Sequence, residues 1–255
     1  MDTTRRDFLR SAGTVTMGAV AAGAASVAPA DAATGEAAHT PRWGMVVDLR
    51  KCIGCQACTV ACIMENAVPD GSFRTHVSVY EVEREAHEPS MVMLPRLCNH
   101  CTNPPCVEVC PVGATFKQEG TGEVLVDAER CVGCGYCVQA CPYDARFINH
   151  ETQTADKCTF CVHRTSAGLL PACVETCVGG ARNFGDLNDP ESEVSRMLAE
   201  NEVSVLRPEM HTNPNVFYIG LDPALNGRIE GEAPYRPPFT EMAKAEHGAD
   251  LEGAL

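Results

Sequence analysis

Residues 131–142 read CVGCGYCVQACP, and residues 52–62 read CIGCQACTVAC. Both follow the spacing C-x2-C-x2-C-x3-C. The 255-residue chain holds sixteen cysteines, and they fall into four groups of four with none left over. The groups are Cys52, Cys55, Cys58, Cys62; Cys98, Cys101, Cys106, Cys110; Cys131, Cys134, Cys137, Cys141; and Cys158, Cys161, Cys173, Cys177. Disulfides are one alternative, but cysteines crowded into C-x2-C repeats stand too close to their neighbours to pair well. Zinc ribbons also use C-x2-C pairs, yet they leave the third cysteine and the fourth, three residues beyond it, without a role.

Iron accounts for the whole pattern. Three thiolates in one tight loop can take three corners of a [4Fe-4S] cube. Glycines such as Gly54 and Gly133 turn the backbone so that its N–H groups face the cluster. The fourth cysteine opens a helix leading away and so serves a second cube, as in bacterial ferredoxins. Pro111 and Pro142, directly after Cys110 and Cys141, suit the first turn of such a helix. Each group of four then serves two clusters.

The connecting segments carry this organisation further. ATFKQEGTGEVLVDAERC, residues 114–131, reads as strand, glycine-containing turn and strand. Such a hairpin sets the second and third groups side by side as one unit, 98–141, leaving 52–62 and 158–177 to form the other. Sequential pairing of first with second and third with fourth is the alternative. The expected fold is α+β, two interleaved ferredoxin-like units spanning 42–188, with an insert at 63–97 and a C-terminal extension at 189–255. Within the insert, Thr75 to Val82 is strand-like; in the extension SEVSRMLAENEV reads as a helix and NVFYIGL as a strand. The last thirty residues, with Pro234, Pro237 and Pro238, read as a surface tail. Insert and tail are expected either to dock partners or to stand as solvated faces.

The chain begins MDTTRRDFLRSAGTVTMGAVAAGAASVAPADAAT. The basic start, the Ala/Gly/Val run and the small residues near Ala30 predict a cleavable export signal over 1–32, of the twin-arginine type through Arg5 and Arg6. An uncleaved membrane anchor is the competing expectation, but the run is interrupted by Gly13, Gly18, Gly23 and polar residues. That route carries proteins already folded around their cofactors, so clusters built in the cytoplasm and a periplasmic destination are expected together. A net charge of −14 argues against nucleic acid and anionic membrane as partners. With aromatic residues at only 5%, the apolar core is modest, and clusters would supplement it.

Four stretches carry a family resemblance: WGMVVDLRKCIGCQACTVAC, LPRLCNHCTNPPCVEVCPVGATF, RCVGCGYCVQACPYDARFINHETQTADKCTFCVHR and GLLPACVETCVGGARNFGDLNDP. Over residues 42 to about 223 the chain resembles the four-cluster iron-sulfur subunits of molybdopterin oxidoreductases, the dimethyl sulfoxide reductase superfamily. Its wording, including NPNVFYIGLD, is most similar to the reductases of oxidised sulfur compounds. The resemblance implies a wire that links a quinol-oxidising integral membrane subunit to a molybdopterin catalytic subunit. It implies four ligand sets: Cys52, Cys55, Cys58, Cys177 nearest the catalytic subunit; then Cys62, Cys158, Cys161, Cys173; then Cys98, Cys101, Cys106, Cys141; and Cys110, Cys131, Cys134, Cys137 nearest the membrane. Some relatives replace the second cysteine of the third group and hold a [3Fe-4S] cluster there. Cys134 is present, so four [4Fe-4S] clusters are expected.

Lys51, Arg130 and Lys157 each precede the first cysteine of a group, where a cation could offset cluster charge or simply be solvated. His100, inside CNHC, is expected to pack or hydrogen bond rather than ligate, and Trp43 and Phe160 to pack in the core. No nucleophile motif, phosphate loop or dinucleotide fingerprint marks an independent active site. The expected role is non-catalytic, with a free-standing periplasmic ferredoxin and a zinc-stabilised interaction module as the competing classes.

Overall fold

The structure, a computed structural model, describes residues 39–83 and 89–225. The export signal expected over 1–32 and the tail beyond residue 225 lie outside the described residues. Among those described, no helix is long and apolar enough to cross a membrane.

The centre of the molecule is a strand that the cysteine pattern says nothing about. WGMVVD forms β1 (Trp43–Asp48), with Met45, Val46 and Val47 fully buried. A continuous apolar run is what a strand covered on both faces requires. It pairs antiparallel with β8 (Arg182–Asp186) and parallel with β10 (Val216–Ile219), and β9 (Val203–Ser204) completes the sheet in the order β8-β1-β10-β9. Met45 and Val47 face the main core, in which Cys58, Cys98, Cys101, Cys158 and Cys173 are embedded. Val46 faces the other way, onto Val194 of α6 (Glu193–Glu200) and Ile219. The Ser192 hydroxyl caps α6 by accepting the Ser195 N–H, satisfying one of the free donors of the first turn.

Three hairpins complete the strands. β2 (Thr75–Glu83) and β3 (Pro89–Leu97) pair in register from Thr75 opposite Leu97 to Glu83 opposite Pro89. This is the expected insert strand with a partner, and it is less peripheral than the sequence implies. Val77, Val82, Leu94 and Leu97 are part of the main core, while Val79 and Met91 face solvent. β4 (Thr115–Lys117) and β5 (Val124–Val126) form the expected hairpin between the second and third groups. β6 (Arg146–Ile148) and β7 (Ala155–Lys157) form another between the third and fourth.

The helices carry a correction. In the second and third groups the short helices α2 (Pro105–Glu108) and α3 (Tyr136–Gln139) hold the third cysteine and end before the fourth, so Cys110 and Cys141 close a helix instead of opening one. Pro111 and Pro142 stand in the turns that follow. The cause is steric: proline disfavours helical backbone in the residue before it and brings no N–H of its own. In the first group Ile63 stands in that place, and α1 (Ala57–Asn66) runs on through both Cys58 and Cys62. In the fourth group α4 (Val162–Thr165) follows Cys161, and α5 (Ala172–Glu175) holds Cys173. α1 packs against α5, and α2 against α3.

Candidate iron-sulfur centres

The loops that carry the first cysteines are shaped by residues of left-handed conformation. Gly54 and Gly133 stand at φ +70° and +68°, as a chain wrapping a cluster requires. A Cβ at Gly133 would also collide with the carbonyl oxygen of Gln153, so the third-group loop lies directly on the β6–β7 turn.

Three cavities open inside this framework, and each is lined by four cysteines. The first, about 330 Å³ and partly open to solvent, is lined by Cys52, Cys55, Cys58 and Cys177, together with Lys51, Gln56 and Arg182. The second, about 290 Å³, is lined by Cys62, Cys158, Cys161 and Cys173 with Asn66, Arg74 and Phe160. The third, about 310 Å³, is lined by Cys98, Cys101, Cys106 and Cys141 with Asn99, Tyr143 and Arg146. Each takes three cysteines from one group and the fourth from another. Of the remaining four, Cys131 and Cys137 share an apolar cluster with Val107, Val124 and Cys106. Cys110 lies just beyond α2, on the helix pair that carries Cys137, and Cys134 is exposed.

The donor chemistry fits thiolate-ligated iron. All sixteen cysteines are free. Peptide N–H groups point at sulfur: Thr115 at Cys110 (3.4 Å), Ala155 at Cys131 (3.3 Å), Phe160 at Cys158 (3.4 Å) and Ala181 at Cys177 (3.2 Å). The Asn66 amide reaches both Cys62 (3.5 Å) and Cys161 (3.9 Å), bridging two groups. Among the described residues no three His, Cys, Asp or Glu side chains converge on one ion-sized point. Sulfurs spread round a cavity suit a cube of several irons.

Burial pushes the thiols of Cys62 and Cys101 up to about 12 and that of Cys141 up to about 11, with neighbouring thiols adding to the rise. Cys110 goes the other way. Burial would raise it, but the N–H groups of Thr115, Val112 and Ala114 outweigh that and hold it below its ordinary value. At Cys62, Cys101 and Cys141 burial thus favours the protonated thiol, and a metal bound there would have to displace that proton.

Lys51 and Arg130 are solvated, with side chains 53% and 70% exposed near Asp48 and Asp127. Lys157 is 1% exposed and donates to the backbone carbonyls of Val124 and Cys158. His100 is buried, stacks on Phe160 at 3.7 Å and accepts the Val124 N–H at Nδ1 (3.1 Å). Burial holds it neutral, with Lys157 and Arg146 adding to the effect. Phe160 is core, edge-on to Phe184, on which Trp43 stacks. Sequence reasoning missed Arg146 and Arg182, buried at 3% and 2% exposure on the third and first cavities. A local signal existed: each stands five residues after the last cysteine of its group and directly after an alanine, in CPYDAR and CVGGAR.

Comparison with known proteins agrees with this chemistry. Two 4Fe-4S dicluster domain models match, over residues 51–114 and 89–187. The tetrathionate reductase B subunit of Salmonella typhimurium is 57% identical over 237 residues, 91% of this chain and 94% of that one. The chain belongs to the iron-sulfur B subunits of the dimethyl sulfoxide reductase superfamily. The selenate reductase B subunit of Mesobacillus selenatarsenatis is 39% identical, covering 70% of this chain and 72% of its own. A putative dimethyl sulfoxide reductase iron-sulfur B subunit of Halobacterium salinarum is also 39% identical, covering 76% and 82%.

Proposed function

We propose that this protein carries four [4Fe-4S] clusters as the electron wire of a tetrathionate reductase, between a quinol-oxidising membrane subunit and a molybdopterin catalytic subunit. The observation that carries the reading is the composition of the three cavities, each lined by four cysteines drawn from two groups. It supports two interleaved units, 52–62 with 158–177 and 98–141 within itself, and the four ligand sets that the family resemblance implies. By that pattern Cys110, Cys131, Cys134 and Cys137 hold the fourth cluster. Domain limits of 42–188 for the cluster-bearing body and 189–255 for the extension belong to the same proposal. Of the extension, β9 and β10 join the central sheet.

When bound, such clusters store and release single electrons. The chain holds the sulfurs, buries all four cysteines of the second set and three of the third, and aims N–H donors at sulfur. Tetrathionate is favoured over polysulfide, thiosulfate or selenate by identity to the Salmonella protein over nearly the whole length of both chains. Export through Arg5 and Arg6, and a periplasmic location, complete the proposal. The test is anaerobic purification of the native complex. The expected result is a pterin-containing catalytic chain and a membrane chain that co-purify with this one. The chain alone, reconstituted, should bind about sixteen irons and turn over no tetrathionate. Tetrathionate reduction by the lone chain, or iron near zero, would overturn the reading.

A further inference from the structure

Arg146 and Arg182 are buried cations with no described counter-ion. Arg50 is paired with Asp48, Arg74 with Asp156 and Arg164 with Glu65, while the buried Arg96 donates to the Tyr143 carbonyl and lines none of the three cavities. By contrast Nη2 of Arg182 donates to the Thr75 hydroxyl (2.8 Å) and Nη2 of Arg146 to the Thr115 hydroxyl (3.0 Å). Nε and Nη1 of both guanidiniums are buried without a hydrogen-bond partner. A guanidinium stays protonated throughout the range in which proteins fold, and a buried, uncompensated charge is strongly destabilising. Something must therefore supply negative charge at each. Thiols face both and are able to do so: Cys173, Cys58 and Cys158 around Arg182, and Cys106 at Arg146. The Tyr218 phenol also faces Arg182, but burial pushes it up to about 12 and it donates to the Pro95 carbonyl, so it supplies no charge.

We infer that Arg182 and Arg146 are built-in counter-ions of iron-sulfur clusters, Arg182 between the first and second cavities and Arg146 on the third. The inference rests on the reading of those cavities as cluster sites. A thiolate-ligated [4Fe-4S] cluster is an anion, and one-electron reduction adds one more negative charge. The guanidinium takes up no proton in that step, since it is already fully charged. A fixed buried cation interacts more strongly with the reduced form and so raises the midpoint potential. Each arginine then has two effects that share one cause. It favours assembly of the cluster that neutralises it, and it makes that cluster easier to reduce. Lys51 and Arg130 cannot match this, because exposed charges are screened by water and salt.

The duplication of the device supports a function beyond packing. Both arginines open a strand, β6 or β8, and both bond a threonine that opens the partner hairpin, β4 or β2. The same piece is installed once in each half of the cysteine framework.

The test uses the full chain, reconstituted anaerobically with iron and sulfide, as wild type, Arg182→Gln, Arg146→Gln and Arg182→Lys. The readouts are iron content and EPR-monitored redox titration. Arg146→Gln should lower the midpoint of the one centre that Cys106→Ser also perturbs, by at least a tenfold change in its reduction equilibrium, 59 mV for one electron. Arg182→Gln should lower centres sensitive to Cys58→Ser or Cys173→Ser by as much, and Arg182→Lys should restore most of the shift. Should Arg182→Gln fail to load iron, recovery of loading in Arg182→Lys supports the charge role, and failure there as well overturns it. Fully loaded glutamine variants with unmoved potentials would overturn this inference alone. A wild-type chain that binds no iron would overturn the cluster reading and this inference with it.

Discussion

Gly179→Ala isolates the junction between the first and fourth cysteine groups. Gly179 lies two residues after Cys177 and is not among the glycines of left-handed conformation, so alanine carries no backbone penalty there. Its cost is contact. A Cβ at this position would fall well inside 3.0 Å of the Lys51 carbonyl oxygen, closer than real Cβ atoms come, and the obstacle is backbone. The two loops must part by more than about half an ångström, and overpacking of this kind costs about 1–3 kcal/mol. Because Lys51 and Gly179 both line the first cavity, the strain falls between Cys52 and Cys177, on opposite walls of one proposed site. The neighbouring Gly180→Ala serves as control. It has open space for a Cβ but a φ of +62°, so it carries left-handed strain of about 1–2 kcal/mol without collision. We expect anaerobically loaded Gly179→Ala to lose or broaden the EPR signal of one centre, the one altered by Cys55→Ser, with the rest intact. Gly180→Ala should unfold at a lower temperature and keep every signal. An unchanged first centre in Gly179→Ala, at full iron content, would refute the claim that the two loops share a cluster.

Further outcomes follow from the packing and from the proposed export. Leu94→Ala, which empties a fully buried position on the β2–β3 hairpin, should cost about 2–5 kcal/mol in chemical unfolding, whereas Met91→Gln on its exposed face should stay within about 0.5 kcal/mol. Ser192→Ala removes the α6 cap and should cost about 1 kcal/mol in the same assay. Replacing Arg5 and Arg6 by lysine keeps the charge but should leave cluster-loaded precursor in the cytoplasm, read by fractionation and immunoblot; undiminished periplasmic protein would show the signal to be dispensable.

What could be read from the sequence was local. The cysteine spacing, the β4–β5 hairpin, α6 and β10 each lie within a dozen or so residues, and all were legible; the serine cap of α6 was not singled out. The helix boundaries at Cys110 and Cys141 were misread because proline suits the first turn of a helix as well as the residues just past its end. Only the conformational limit it sets on the preceding cysteine decides between them. The β2–β3 insert looked peripheral because its alternation shows that one face is buried without showing what buries it. Lys51, Arg130 and Lys157 occupy identical local positions, yet only Lys157 is enclosed, beneath the carbonyl of Val124. Arg146 and Arg182 sit in a repeated local context, but their burial comes from packing that the repeat does not encode.

The measurement closest to the central claim is low-temperature EPR of the reduced, anaerobically loaded chain in three variants, Cys55→Ser, Cys62→Ser and Cys161→Ser. Cys62 lines the cavity of Cys158, Cys161 and Cys173, away from the three cysteines that precede it in sequence. The account predicts that Cys62→Ser and Cys161→Ser alter the same resonance while Cys55→Ser alters another. If Cys62→Ser instead matches Cys55→Ser and Cys161→Ser spares that centre, the interleaved architecture is contradicted, and the order of clusters along the wire with it.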